Sequence, residues 1–303
     1  MLARPIQERL FARGRLYSAP TMPAPPPDAR SFLSEVVSVT PCGADGVLLS
    51  LRPERALGAV RASRFFMLRR EDGLSPAIPR PFSIYRQRGD EIEFLLKVMG
   101  RGTRALAACS PGQKVRTIGP LGNGWPALDG DGPPWVMLAG GVGVAPFYMA
   151  IEQALAGMDG RAPARPEQLF FLFGAAHAGM LYDLAAFERL PARVFTATVD
   201  GSHGARGNVL ELLSDLQHRG VIPERVRLAA CGPERMLEAV QHFADARGLE
   251  CWLSLESLMG CGVGICNACP VPTKPDGPRG SWPNVKCCVE GPVFRSDEIA
   301  LHA

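Results

Sequence analysis

Trp135-Val-Met-Leu-Ala-Gly140-Gly141-Val-Gly143-Val-Ala-Pro146-Phe-Tyr-Met-Ala-Ile151 is the stretch on which the fold turns. It carries no charge, yet it is shorter than the roughly 20 apolar residues that cross a bilayer. It also holds three glycines and a proline at its centre. An apolar strand, a glycine turn and the start of a helix account for it better. Downstream the same rhythm returns, with strand-like runs at 169–173, 194–198 and 226–230 separated by helical stretches. That alternation predicts a parallel α/β sheet over residues 131–248. The turn residues Gly140, Gly141, Gly143 and Pro146 would let backbone approach a pyrophosphate at a helix start. An ordinary tight strand-to-helix turn needs the same glycines. The last strand runs into Cys231-Gly-Pro-Glu-Arg-Met236, at the sheet edge where open α/β folds bind ligands. Cys231 is there a candidate for the side of a nicotinamide ring, or a small buried residue.

Upstream the pattern is different. Residues 31–130 contain short alternating runs such as Val47-Leu-Leu-Ser-Leu51 and Ile92-Glu-Phe-Leu-Leu-Lys-Val98, separated by turns. Short strands at this spacing predict a small antiparallel barrel. Two motifs lie in it, Arg80-Pro81-Phe82-Ser83 and Gly100-Arg-Gly102-Thr103. A guanidinium suits a diphosphate, a serine hydroxyl suits a ring nitrogen, and Gly-x-Gly-Thr presents N–H groups to phosphate. Together they could hold a flavin nucleotide; singly, each is also what a surface arginine and a turn look like.

Downstream of the sheet comes Cys261-Gly-Val-Gly-Ile-Cys266-Asn-Ala-Cys269, answered by Cys287-Cys288. The C-x4-C-x2-C…C spacing is that of ligands to a [2Fe-2S] cluster, with Gly262 and Gly264 letting one loop wrap a compact core. Structural zinc sites more often present two C-x2-C knuckles. Either adjacent thiol, Cys287 or Cys288, can be the fourth ligand. The segment 249–303 reads as a small cluster-bearing module too poor in core residues to stand alone.

The chain has 303 residues, 47 % of them hydrophobic, which is enough for several domains. A net charge of +3, with dispersed Lys and Arg, points away from nucleic acid or an anionic membrane and toward small-molecule or protein partners. Of nine cysteines, five crowd into 261–288, and no signal-peptide pattern opens the sequence, so a reducing cytoplasm is expected. Residues 1–30, with several arginines and Pro23-Ala-Pro-Pro-Pro27, read as a flexible extension.

In order, R-P-F-S, G-x-G-T, GPLGNGW at 119–125, AGGVGVAPF, CGPERM and the cysteine module resemble the ferredoxin-reductase-like flavoproteins. The closest resemblance is to the electron-transfer subunits of class B, NAD-dependent dihydroorotate dehydrogenases. It covers roughly residues 31 to 296 and is most specific from Ser254 through Phe294. The resemblance implies a flavin-binding β-barrel at 31–130, a Rossmann-like NAD-binding α/β domain at 131–248 and a C-terminal [2Fe-2S] domain at 249–303. It implies that Arg80, Pro81, Phe82 and Ser83 contact FAD, with Leu96, Lys97, Val98, Gly102 and Thr103 on its other side. Cys261, Cys266, Cys269 and Cys288 would bind the cluster, Cys288 because the family's fourth ligand stands just ahead of Gly-Pro-Val-Phe, with Val289 and Glu290 intervening here. Two stretches depart from the pattern, the Pro-rich 270–284 and the N-terminal extension. Ala175-Ala176-His177 stands where NADP-dependent relatives often have an arginine, which favours NAD.

NAD takes a hydride and a [2Fe-2S] cluster passes single electrons, so a flavin is needed between them. The family implies that a separate FMN-containing catalytic subunit oxidises dihydroorotate, in a heterotetramer with two copies of each chain. This chain has no length left for the TIM barrel of about 250 residues that such chemistry would occupy. Other readings are a diaphorase subunit serving a hydrogenase or a glutamate-synthase-like enzyme, and a redox-sensing or zinc-stabilised binding protein.

Overall fold

The computed structural model describes residues 28–72 and 76–301. Most of the expected N-terminal extension lies outside them. The first unit is built from β1 (Arg30–Pro41), β2 (Gly46–Pro53), β3 (Phe65–Arg70), β4 (Arg80–Ser83), β5 (Arg86–Arg88), β6 (Glu91–Lys97), the helix α1 (Arg101–Ala107) and β7 (Lys114–Leu121). The seven strands follow the order β4-β3-β7-β1-β2-β6-β5, all antiparallel. The two edges, β4 and β5, are consecutive in the chain and joined by Ile84 and Tyr85, both fully buried. Ile84 N–H donates to the Arg64 carbonyl and Tyr85 N–H to that of Glu93, each at 2.9 Å, so the sheet curls until its edges meet. This is the barrel expected from the alternating runs.

Strand β3 is the exception to simple alternation. Phe66 and Leu68 enter the barrel core with Phe32, Leu49 and Phe94. Phe65 and Met67, on its other face, are also buried, in an apolar cluster with Leu121, Cys269, Cys288 and Phe294. A strand covered on both faces reads as a continuous apolar run.

The second unit contains β8 (Trp135–Gly140), α2 (Tyr148–Ala156), β9 (Leu169–Ala175), α3 (Leu184–Phe187), β10 (Arg193–Thr198), β11 (Ala205–Arg206), α4 (Val209–His218), β12 (Arg227–Cys231), α5 (Glu234–Arg247) and β13 (Cys251–Ser254). The final residues add the hairpin β14 (Pro270–Pro272) and β15 (Asn284–Lys286), the short α6 (Cys287–Glu290) and β16 (Val293–Arg295). The sheet order is β11-β10-β9-β8-β12-β13-β16, parallel except for the β13–β16 pair. The chain winds outward from β8 and then restarts on its other side at β12. The ends of β8 and β12 therefore form the switch point where such sheets bind ligands. Between β8 and α2 the chain makes a 3-10 helix, Gly141–Phe147, instead of entering an α-helix directly. Pro146 inside it has no N–H for a regular helical bond.

The segment 249–303 is sewn into this sheet. Its first strand, β13, pairs with β12, and β16 pairs back on β13. Gln241 of α5, buried, donates Nε2–H to the carbonyls of Ser296 at 2.6 Å and Ile299 at 2.8 Å. A segment too short for its own core gains one by adding a strand to a neighbour's sheet. No helix among the described residues is long and apolar enough to cross a membrane.

Residues 129–133, which link the barrel to β8, are held by one buried ion pair. Arg227 donates to Asp129 Oδ1 at 2.7 Å, to the Asp129 carbonyl at 2.7 Å and to the Pro133 carbonyl at 2.9 Å, while its guanidinium lies 4.3 Å from the Trp135 ring centroid. Both side chains are 9 % exposed. Removing Arg227 leaves the buried Asp129 carboxylate only the exposed Arg161, 3.8 Å away, so Arg227→Ala should cost about 3 kcal/mol in chemical denaturation. A loss under about 1 kcal/mol, as for a surface pair, would contradict this account.

Candidate flavin, nucleotide and iron–sulfur site

Three surfaces converge where β3, the β8–β12 switch point and the cysteine loop meet. On the barrel side, Arg80, Pro81, Phe82 and Ser83 form β4, all half-buried, with Pro81 opposite Met67 and Ser83 opposite Phe65. Arg80 lies over the first turn of α1: a Cβ at Gly102 would stand 2.8 Å from its Nε. The guanidinium donates to the Ile78 carbonyl, and no ion pair is found for it among the described residues. An unpaired guanidinium beside bare glycine backbone suits a phosphate. Thr103 Oγ1 accepts the N–H groups of Met99 and Gly100, both at 3.0 Å, which fixes the loop entering the helix. Leu96 is fully buried, Lys97 Nζ is 3.7 Å from Asp45, and Val98 N–H donates to the Asp45 carbonyl at 2.7 Å.

At the switch point the two strand-end loops touch. A Cβ at Gly140 would stand 2.6 Å from the Met236 sulfur, and one at Gly143 would stand 2.7 Å from the Gly232 Cα. Gly141, by contrast, has φ +54° and open space beside it. Pro146 is buried, and its carbonyl accepts from Trp125 Nε1 at 3.2 Å. Cys231 ends β12 in register with Ser254, whose Oγ lies 2.9 Å from that of Ser63. Ser63, at the entrance to β3, holds a left-handed φ of +68°. Burial, reinforced by the Glu256 carboxylate, pushes the Cys231 thiol up to about 12. It stays protonated at neutral pH, a neutral neighbour for a ligand and a poor nucleophile. Past β10, the Asp200 carboxylate accepts from Ser202 N–H at 2.9 Å and Oγ–H at 2.6 Å, which keeps it below the usual carboxylate range. Sequence reading missed Asp200, although its place after a strand was the available signal.

The cysteine loop sits on the barrel. A Cβ at Gly262, whose φ is +73°, would stand 2.5 Å from Met67 Cγ, and one at Gly264 would stand 2.7 Å from Val289. The thiols form two pairs. In the first, Cys261 Sγ accepts N–H from Val263 and Cys266, and Cys266 Sγ accepts from Cys261, all at 3.4 Å. Burial alone would raise the Cys261 thiol, but these N–H groups outweigh it and hold it down at about 7. In the second pair, a hydrogen bond with Cys288 lowers Cys269 to about 6 against the opposing effect of burial, and the Cys288 and Cys287 N–H groups help. That bond with Cys269, with burial, raises Cys288, while Gly264 N–H donates to its sulfur. Cys287 faces the Leu255 carbonyl at 4.0 Å, and burial raises its thiol. Among the described residues no three His, Cys, Asp or Glu side chains enclose a site for a single ion. Two thiol pairs with N–H donors aimed at sulfur suit a two-iron core, which takes two thiolates per iron.

Comparison with known proteins follows the same division. Residues 137–242 match an oxidoreductase NAD-binding domain, and residues 256–300 match the iron–sulfur cluster binding domain of dihydroorotate dehydrogenase B. The dihydroorotate dehydrogenase B (NAD(+)) electron transfer subunit of Bacillus cereus (strain Q1) is 31 % identical over 241 residues, covering 78 % of this chain and 86 % of the relative. The chain belongs to this family of electron-transfer subunits. The Bacillus anthracis (strain CDC 684 / NRRL 3495) member is equally similar, 31 % identical over the same shares. As a family member the chain is an oxidoreductase, and the barrel, α/β sheet and iron–sulfur segment come in the expected order. The fold is shared with an NADH-dependent reduced ferredoxin-NADP oxidoreductase (TM-score 0.73, 23 % identity, 88 % of this chain and 90 % of that one). It is also shared with a ferredoxin NADP+ reductase from Neisseria gonorrhoeae (TM-score 0.58, 20 % identity, 74 % and 93 %).

The thiol pairing leads to a direct comparison of neighbours. Cys288→Ser should lose the cluster and its visible absorption while keeping flavin, and Cys287→Ser should retain iron. The reverse pattern of iron content would assign the fourth ligand to Cys287.

Proposed function

We propose that this chain carries electrons from an FMN-containing dihydroorotate dehydrogenase catalytic subunit, through a [2Fe-2S] cluster and FAD, to NAD+ in pyrimidine biosynthesis. It would do so in the cytoplasm, as part of a heterotetramer of two copies of each subunit. The observation that carries this reading is the seat of the cysteine loop on Met67 of β3, the strand paired with β4. Adjacent strands lie about 5 Å apart, so thiol loop and flavin strand are near neighbours across buried apolar packing that excludes water. When bound, the flavin exchanges a hydride with NAD and single electrons with the cluster.

The chain's own residues would divide the work. Arg80 neutralises a diphosphate, while Pro81, Phe82 and Ser83 present the strand edge to the flavin, with Leu96, Lys97, Val98, Gly102 and Thr103 opposite. Gly140, Gly141, Gly143 and Pro146 shape the turn that receives the pyrophosphate of NAD. Cys231, kept neutral, stands beside the nicotinamide. Asp200 supports NAD over NADP, because a fixed carboxylate at the sheet edge repels a 2′-phosphate. The outer face of the cysteine loop supports a protein partner: Leu258 and Ile265 are 88 % and 79 % exposed beside Cys261 and Cys266. Apolar side chains this exposed next to ligand thiols favour contact with another protein surface.

Purified anaerobically, mixed with an FMN-containing catalytic subunit and given dihydroorotate and NAD+, the chain should support NADH formation. NADH oxidation by a dye with no orotate-linked NADH would instead assign it to another complex. Arg80→Ala removes a charge-assisted contact of about 1.5–3 kcal/mol, so FAD should be held about ten- to a hundred-fold more weakly and be lost during gel filtration. Unchanged flavin content in that variant would refute the role given to Arg80.

A further inference from the structure

Gly119-Pro-Leu-Gly-Asn-Gly-Trp125 stands out in the sequence, and the electron route described so far assigns it no task. It completes β7 and then touches both other parts of the molecule. Toward the nucleotide turn, Trp125 stacks on Phe147 with ring centroids 5.3 Å apart and hydrogen-bonds the Pro146 carbonyl. Toward the thiols, Asn123 meets residues 290–293, the segment that follows Cys288. Asn123 main-chain N–H donates to the Gly291 carbonyl at 2.8 Å. Its Nδ2 donates to the carbonyls of Glu290 at 2.9 Å and Val293 at 2.7 Å, and its Oδ1 accepts Val293 N–H at 3.1 Å. Beside it, Gly122 has φ +71°, and a Cβ there would stand 2.5 Å from Pro292 Cδ and 2.8 Å from the Gly291 oxygen. Backbone thus approaches backbone as closely as the chain allows.

We propose that Asn123 is a positioning residue: by fastening residues 290–293 to the barrel, it sets where Cys288, and with it the cluster, stands relative to the flavin strand. This rests on the flavin and iron–sulfur reading above. The chemistry singles out an amide, since two carbonyls and one N–H must be met by two donors and one acceptor on a single short side chain. Aspartate keeps the acceptor but turns oxygen toward both carbonyls. Alanine leaves all three groups to water, which can reach them because Asn123 is at the surface. The tie matters for rate because each hydride passed to or from NAD corresponds to two single-electron transfers between flavin and cluster, with one proton exchanged with solvent. Single-electron transfer falls off steeply with the gap between donor and acceptor, so a displaced cluster exchanges electrons more slowly.

The test uses the full chain with flavin and iron, as wild type, Asn123→Asp and Asn123→Ala. Rapid anaerobic mixing with NADH separates flavin reduction from cluster reduction, and EPR of the reduced cluster and amide exchange over 287–293 are read in parallel. Flavin reduction should match wild type in both variants. Cluster reduction should slow several-fold in Asn123→Asp, less in Asn123→Ala, with a changed EPR line shape and faster exchange at 287–293. Should the Asp variant not fold, the Ala variant carries the same comparison. Wild-type cluster reduction, EPR and exchange in both variants would overturn the proposal, and so would a slowing of flavin reduction in step with cluster reduction. A wild-type chain that binds neither iron nor flavin would sink the functional reading instead. Exchange at 287–293 in that same chain would then decide the Asn123 tie.

Discussion

The contact between Gly262 and Met67 is the constraint from which the rest of the molecule follows. The loop that carries the thiols lies against the barrel strand paired with β4, and a side chain at 262 would crowd Met67. That is why the outer face of β3 is apolar and buried, with Phe65 and Met67 turned to the cysteine loop while Phe66 and Leu68 fill the barrel. One strand separates two cores.

Holding the loop there takes ties that do not depend on a core of its own. The segment after β13 is too short to bury one, so it adds β16 to the α/β sheet, receives hydrogen bonds from Gln241 and is fastened to the barrel through Asn123. The Ser63–Ser254 hydrogen bond joins barrel and sheet beside Cys231, and Ser63 accepts a left-handed backbone there. A strained residue at such a junction persists only where its surroundings hold it.

Electrostatics divides the cysteines by task. Cys261 and Cys269 are held low by N–H groups and a neighbouring thiol, the state in which sulfur binds metal. Cys231 and Cys251 are raised to about 12 by burial and remain thiols. The same side chain is therefore ligand in one place and packing in another, and its surroundings make the difference.

Much of this was legible in residue order. Whereas the two-sided burial of the Phe65–Leu68 strand appears only in the fold, the Cys261–Cys269 spacing points to the cluster type, and the apolar Trp135–Gly140 run with its glycines marks a strand leading into a tight turn. These are local signals, because strand period, turn chemistry and ligand spacing all act within a few residues. What separates Cys287 from Cys288 is not local. The two open α6, where successive side chains point about 100° apart, and only the packing of that helix against Leu255 and Gly264 decides which one turns toward Cys269. The joining of 249–303 to the α/β sheet rests on contacts such as Gln241 to Ser296, 55 residues apart, and the pairing of Asn123 with 290–293 on contacts 167 to 170 residues apart, which tertiary packing alone supplies.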